Sequence, residues 1–143
     1  MISTPTPSIF ISYFLIIFLK FFITFERPKN IDSPIKNSNF KNRTYSAKEL
    51  KLSSLTINKV SFFSKRFAAK EAFAKALGTG FRNNLNFKDI EVINDKLGKP
   101  YYTKNKKITK IVQKKFNVKN FNCFLSISDE KDYSTAFTII QTK

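Results

Sequence analysis

Hydrophobic and polar positions divide the chain into stretches of different character. Residues 9–25, IFISYFLIIFLKFFITF, are apolar almost throughout, with Lys20 as the exception. Their length sits at the lower limit for a membrane span. No basic run precedes them and no small-residue cleavage site follows, so a secretory leader is disfavoured. Three readings stay open: a short membrane anchor, a strand or helix buried in the domain, or a segment brought in by a wrong start or reading frame. Residues 26–60 are polar and basic and predict a loop followed by a short helix. Ser46 is its N-cap, with Glu49 at capping-box spacing.

Residues 61–77, SFFSKRFAAKEAFAKAL, predict the longest helix, free of internal Gly or Pro and stopped by Gly78. Phe63, Phe67, Ala74 and Leu77 recur at helical spacing. Phe62, Ala69, Phe73 and Ala76 widen the stripe that faces the core. The turn-rich GTGFRNN follows, then a half-buried strand over 87–94, a hairpin-like turn in NDKLGKP, and a strand at Tyr101 and Tyr102. The Lys-rich segment 104–119 predicts a helix with Ile108, Ile111 and Val112 inward. Two strands, 121–128 and 133–141, flank an acidic turn at Asp129–Asp132. Helices and antiparallel hairpins in irregular order predict an α+β fold, a small single domain whose antiparallel sheet packs on a long helix. The domain occupies residues 31–143, after a hydrophobic N-terminal segment at 1–30.

Composition narrows the chemistry. A chain of 143 residues suits one domain. It has no His and one Cys, so His takes no part in catalysis or metal binding and no internal disulfide forms. Acid–base work falls to Asp, Glu, Lys, Tyr or Cys123. The 26 basic and 10 acidic residues leave a net charge of +16. That charge fits a phosphate-bearing ligand or an acidic partner, and equally a Lys- and Asn-rich composition with no functional meaning.

The segment RFAAKEAFAKALGTG, Arg66 to Gly80, resembles the signature helix of the holo-acyl-carrier-protein synthases, 4′-phosphopantetheinyl transferases. The likeness continues through NLNFKDIEVINDKLGKP, Asn84 to Pro100, and LSISDEKDYSTAFTII, Leu125 to Ile140. It is weaker through NFKNRTYSAKEL, Asn39 to Leu50. Three spaced blocks in the same order are more specific than any one of them. The resemblance implies transfer of phosphopantetheine from coenzyme A to a carrier-protein serine, with Mg²⁺ as cofactor and adenosine 3′,5′-bisphosphate leaving. It also implies an acidic acyl carrier protein as partner, a homotrimer with clefts at subunit boundaries, and a cytoplasmic setting. Nucleic acid is not expected as a partner.

Carried over position by position, Glu71 matches the helix-borne metal ligand, and Lys75, one turn on, matches a residue that contacts the diphosphate or takes the serine proton. Arg66 and Lys70 flank the helix as phosphate contacts. Gly78, Thr79 and Gly80 form a loop whose backbone can approach phosphate. Pro100 and Ser126 match positions that shape the cleft. Read without the resemblance, Glu71 is a solvated residue paired with Lys75 at i+4, and Gly78 an ordinary helix stop.

The pattern departs from the family at its start. Family members open with a strand reading roughly Gly-x-Asp-Ile-Val, whose Asp is the second metal ligand. No such sequence occurs here, and an ungapped register from Phe40 puts Ile23 at that place. Glu26 and Asp32 are the nearest acids downstream. Phe124 stands where the family often has His. An inactive divergent transferase, a small basic nucleic-acid-binding protein using Lys104–Lys119, and a membrane-anchored basic protein are the alternatives.

Overall fold

A computed structural model describes residues 18–26 and 37–143. The elements in chain order are β1 (Phe18–Glu26), α1 (Ser38–Thr44), α2 (Ala47–Ser54), α3 (Lys59–Ala76), a 3₁₀ turn (Phe87–Asp89), β2 (Val92–Asn94), β3 (Pro100–Tyr102), α4 (Lys106–Phe116), β4 (Phe121–Asp129) and β5 (Tyr133–Thr142). The α+β expectation is met. One antiparallel sheet has the order β1-β5-β4, and β2 and β3 form a separate hairpin.

Alanines decide how α3 meets the sheet. Ala68, Ala69, Ala72 and Ala76 are all fully buried, and their small side chains let the helix lie close across β5 and β1. Phe73 and Leu77 fill the remaining space against Ala136 and Ile140 of β5 and Leu125 of β4. Each large apolar side chain buried this way contributes about 1.5–3 kcal/mol before packing terms. The helix begins where the Asn58 side chain accepts the Ser61 N–H at 3.0 Å. It is buried on almost every side, with Ser64, Arg66 and Lys70 among the buried residues. The expected single apolar stripe is therefore too narrow a description, and Phe67, expected in the core, is only half-buried.

The sheet register is continuous. Ile23 lies opposite Ala136 and Glu26 opposite Tyr133, while Leu125 lies opposite Thr138. Residues 18–25 of the apolar N-terminal stretch are thus part of a strand of the domain. Residues 9–17 and Asp32 lie outside the described residues. No helix among the described residues is long and apolar enough to cross a membrane.

Local caps fix the other elements. Ser46 and Glu49 form the expected capping box at the start of α2. The strand expected over 87–94 begins only at Val92, because the Asp89 carboxylate accepts the Asn86 N–H at 2.8 Å and closes a tight turn first. The helix expected over 104–119 shortens to α4. Asn105 caps its first turn by accepting the Ile108 N–H at 2.8 Å. Asn117 ends it in the left-handed conformation at φ 52°, which Asn tolerates better than most residues. Tyr102 ties the hairpin to the core, its hydroxyl lying 2.7 Å from the Ala69 carbonyl oxygen and 2.6 Å from Thr138 Oγ1.

Candidate active site

The C-terminal half of α3 presents Glu71 and, one turn on, Lys75. Glu71 is partly buried, and its carboxylate has no hydrogen-bond or ion-pair partner among the described residues. The i+4 pairing with Lys75 expected for an ordinary solvated helix is not formed. A half-buried carboxylate without a partner is costly unless something binds it.

Lys75 is exposed, and its carbonyl oxygen accepts the Gly78 N–H at 2.9 Å. Gly78 and Gly80 both take positive φ, +75° and +60°, so a side chain at either would strain the turn. The Gly80 N–H closes on the Ala74 carbonyl oxygen at 3.2 Å. Two of the three loop amides therefore cap the helix. The Thr79 N–H has no partner among the described residues, and the Thr79 hydroxyl donates to the Gly80 carbonyl oxygen at 3.2 Å.

Three aromatic rings stack between the middle of α3 and the chain that follows its glycine turn. Phe87 stacks on Phe67 at 5.2 Å between centroids and on Phe81 at 3.6 Å. Phe67 lies one turn before Glu71, and Phe81 follows Gly80 directly. Opposite the loop, Lys115 of α4 brings its Cε to 4.0 Å from the place a Cβ on Gly78 would occupy.

Lys70 is elsewhere. It is fully buried and forms an ion pair with the equally buried Glu49 at 2.8 Å. Its remaining protons go to the carbonyl oxygens of Phe87, at 3.0 Å, and Ile90. All three ammonium donors are taken, so the expected contact with coenzyme A does not suit this placement. Burial pulls the Lys70 pKa down, and the charge of Glu49 opposes that shift.

Arg66 lies on another side of α3. Nine residues, about two and a half turns, separate it from Lys75, so the two point in opposite directions. Arg66 lines a cleft of about 530 Å³ with Lys65, Asn94, Gly98, Pro100 and Asp129. Its guanidinium lies 3.4 Å from the Phe62 ring centroid and donates to Asn94 Oδ1 at 3.2 Å. Its Nε is buried without a hydrogen-bond partner among the described residues. Desolvation lowers the Arg66 pKa to about 10, which leaves it charged at neutral pH. Asp129 balances the cleft: it accepts from Ser61 and from Ser134, and lies 3.4 Å from the Lys65 ammonium.

The helix thus brings Glu71, Lys75, Gly78, Thr79 and Gly80 together, buries Lys70 and turns Arg66 away. Burial pushes the Cys123 thiol pKa up to about 12, which disfavours the thiolate at neutral pH. Among the described residues no three carboxylate, thiol or imidazole groups cluster to hold a metal. Mg²⁺ commonly takes one or two carboxylates plus phosphate oxygens and water, a demand that the Glu71 carboxylate, without a partner among the described residues, fits. Of the Lys-rich stretch, Lys104 donates to the Phe121 carbonyl oxygen at 2.8 Å and Lys107 pairs with Asp89. Lys106, Lys110, Lys114 and Lys115 stay exposed.

Comparison with known proteins gives the family. The chain is 61% identical over 113 residues to the holo-[acyl-carrier-protein] synthase of Pelagibacter ubique (strain HTCC1062), covering 79% of this chain and 88% of that protein. The crystal structure of holo-[acyl-carrier-protein] synthase from Neisseria meningitidis is similar at a TM-score of 0.75 and 31% identity, over 86% of this chain and 97% of that one. A holo-(acyl-carrier-protein) synthase from Bacillus anthracis, solved in complex with CoA (3′,5′-ADP), is similar at 0.71 and 26% identity, over 89% and 99%. The sequence model of the 4′-phosphopantetheinyl transferase superfamily matches residues 25–138, and the chain belongs to that superfamily.

Proposed function

We propose that this protein is a holo-acyl-carrier-protein synthase that transfers 4′-phosphopantetheine from coenzyme A to a serine of an apo acyl carrier protein. Family membership supports the reaction. The observation that carries the site is the Glu71 carboxylate, without a partner among the described residues, beside Lys75 and the Gly78–Gly80 turn. In the reaction the serine oxygen forms a bond to the β-phosphorus of coenzyme A. The bond from that phosphorus to the bridging oxygen breaks, adenosine 3′,5′-bisphosphate leaves, and the serine proton passes to a base.

Mg²⁺, held on the protein side by Glu71, would supply charge neutralisation and orientation of the diphosphate. Lys75 binds a diphosphate oxygen, and the Thr79 N–H offers a second donor. Lys75 suits phosphate contact better than proton abstraction, because it is exposed and base duty at neutral pH needs a buried, discharged amine. Arg66 faces away from Glu71, so the two serve one ligand only across a subunit boundary.

A homotrimer supplies such a boundary. Phe124 is 49% exposed, and Phe137 and Ile139, paired with Ser126 and Phe124 on the neighbouring strand, are half-buried. That apolar sheet surface suits a second copy of the chain. The exposed lysines of α4 suit an acidic carrier protein, whose approach they would steer. The reaction belongs in the cytoplasm, where coenzyme A and carrier protein meet. The test is incubation with coenzyme A, Mg²⁺ and apo carrier protein. The expected result is a mass gain of one phosphopantetheinyl group on the carrier serine. No gain, with a known synthase modifying the same carrier, would overturn the assignment.

A further inference from the structure

Glu49 and Lys70 are both fully buried, and every polar atom of the pair is used. Glu49 Oε2 accepts the Ser46 N–H at 2.8 Å and the Lys70 ammonium at 2.8 Å. Glu49 Oε1 accepts the Val92 N–H at 3.1 Å. Lys70 donates further to the Phe87 and Ile90 carbonyl oxygens. The pair therefore grips the backbone of residues 87–92 at three points and ties it to α3 at the residue next to Glu71.

Stability alone is a weak reason for such a pair. Well-packed apolar replacements are often neutral or better, because taking two charges out of water costs about as much as their attraction returns. What distinguishes this pair is the segment it holds. The gripped segment begins at Phe87, whose ring lies between Phe67 and Phe81. Phe67 stands on the Glu71 side of α3, and Phe81 leads directly out of Gly80. A chain of contacts therefore runs from the buried charges through the Phe87 backbone and ring to Phe67, one turn before Glu71, and to Phe81, directly after Gly80.

We infer that the Glu49–Lys70 pair and the Phe67–Phe87–Phe81 stack form one positioning unit, which sets the Gly78–Gly80 turn against Glu71 and so sets the affinity for the coenzyme A diphosphate. Lys70 is then a positioning residue and no phosphate ligand. This rests on the transferase reading above. The unit acts on ligand binding before and during reaction alike, so its loss raises KM and leaves kcat in place.

The test uses the full chain and three variants: Phe87→Leu, which stays apolar but cannot stack; Phe87→Tyr, which restores a ring; and the double variant Glu49→Gln with Lys70→Met, which removes both charges together. Coenzyme A affinity is measured by calorimetry in Mg²⁺, KM and kcat by carrier modification, and Tm by scanning. Phe87→Leu and the double variant should raise both Kd and KM for coenzyme A about tenfold, with kcat within about twofold, the pattern of lost uniform binding. Phe87→Tyr should return both to the wild-type values. Wild-type Kd and KM in Phe87→Leu and in the double variant, with only Tm lowered, would show that the unit is scaffolding and overturn the inference. A wild-type chain that neither binds coenzyme A nor modifies the carrier would instead overturn the transferase reading, and the inference with it.

Discussion

Replacing Lys70 alone by Met should be among the most damaging single changes in this chain. The methionine fills most of the space of the lysine stem, so no large cavity opens. The carboxylate of Glu49 stays fully buried, but it loses its one cationic partner and keeps only the N–H groups of Ser46 and Val92. The carbonyl oxygens of Phe87 and Ile90 lose a charged donor at the same time. Breaking a buried pair on one side costs about 3–5 kcal/mol. Whole domains are stable by only about 5–15 kcal/mol, so the variant should sit close to unfolding. Urea denaturation followed by circular dichroism measures this. Lys75→Met, at an exposed position on the same helix, is the control and should cost much less, since no buried charge is left behind. Adding Glu49→Gln to Lys70→Met should recover a large part of the loss, because the uncompensated charge is gone. A single variant no less stable than the Lys75 control would refute the claim that the pair is a closed, water-free unit.

Tyr102→Phe should cost about 1–2 kcal/mol in the same assay, since its buried hydroxyl bridges the Ala69 carbonyl and Thr138; Thr138→Val in the Phe background should then cost less than Thr138→Val in the wild type. Burial works against the Asp89 charge, but the hydrogen bonds from Lys107 and the Asn86 backbone outweigh it and hold the Asp89 pKa below its ordinary value of 3.8. Its contribution to stability is therefore present above that value and lost as pH falls through the lower, folded-state value, and urea midpoints for Asp89→Asn should converge on the wild type at the acid end of the series. Phe124→Lys should dissociate the proposed homotrimer, read as a lower mass in light scattering, while the circular dichroism spectrum stays that of the folded chain.

Local chemistry made much of the fold legible. The Ser46–Glu49 spacing announces a helix start wherever it occurs, because both partners lie within one turn. The Ala- and Lys-rich run of α3 and the Gly78 stop were readable for the same reason. What stayed hidden was made by contacts between distant residues. Glu49 was legible as a cap, but its partner lies 21 residues away, and no spacing rule marks such a pair. Lys70 consequently reads in the sequence as a phosphate contact. The turn at Phe87–Asp89 replaced strand because Asp89 meets the Asn86 backbone and Lys107 together, and Lys107 comes from another element. The family pattern singled out Glu71, Lys75 and the glycine turn as candidates. It could not say that the Gly78 and Gly80 amides are spent on capping, or that Arg66 turns to a second cleft. Arithmetic on the helix repeat alone would have shown that Arg66 and Lys75 point opposite ways.

The central claim is that Glu71 serves the reaction rather than the fold, and Glu71→Gln tests it most directly. The amide keeps the size and shape of the side chain but surrenders the charge that a hard cation requires. Transfer of phosphopantetheine to apo carrier protein is followed by mass spectrometry across a Mg²⁺ series, with Tm measured on the same samples. The expected result is a Tm within a few degrees of wild type and a transfer rate lower by at least about a hundredfold at limiting Mg²⁺, the loss of one strong electrostatic contact to the reacting group. Equal rates for the two proteins throughout the Mg²⁺ series would contradict the assignment of Glu71, and with it the site built around the end of α3.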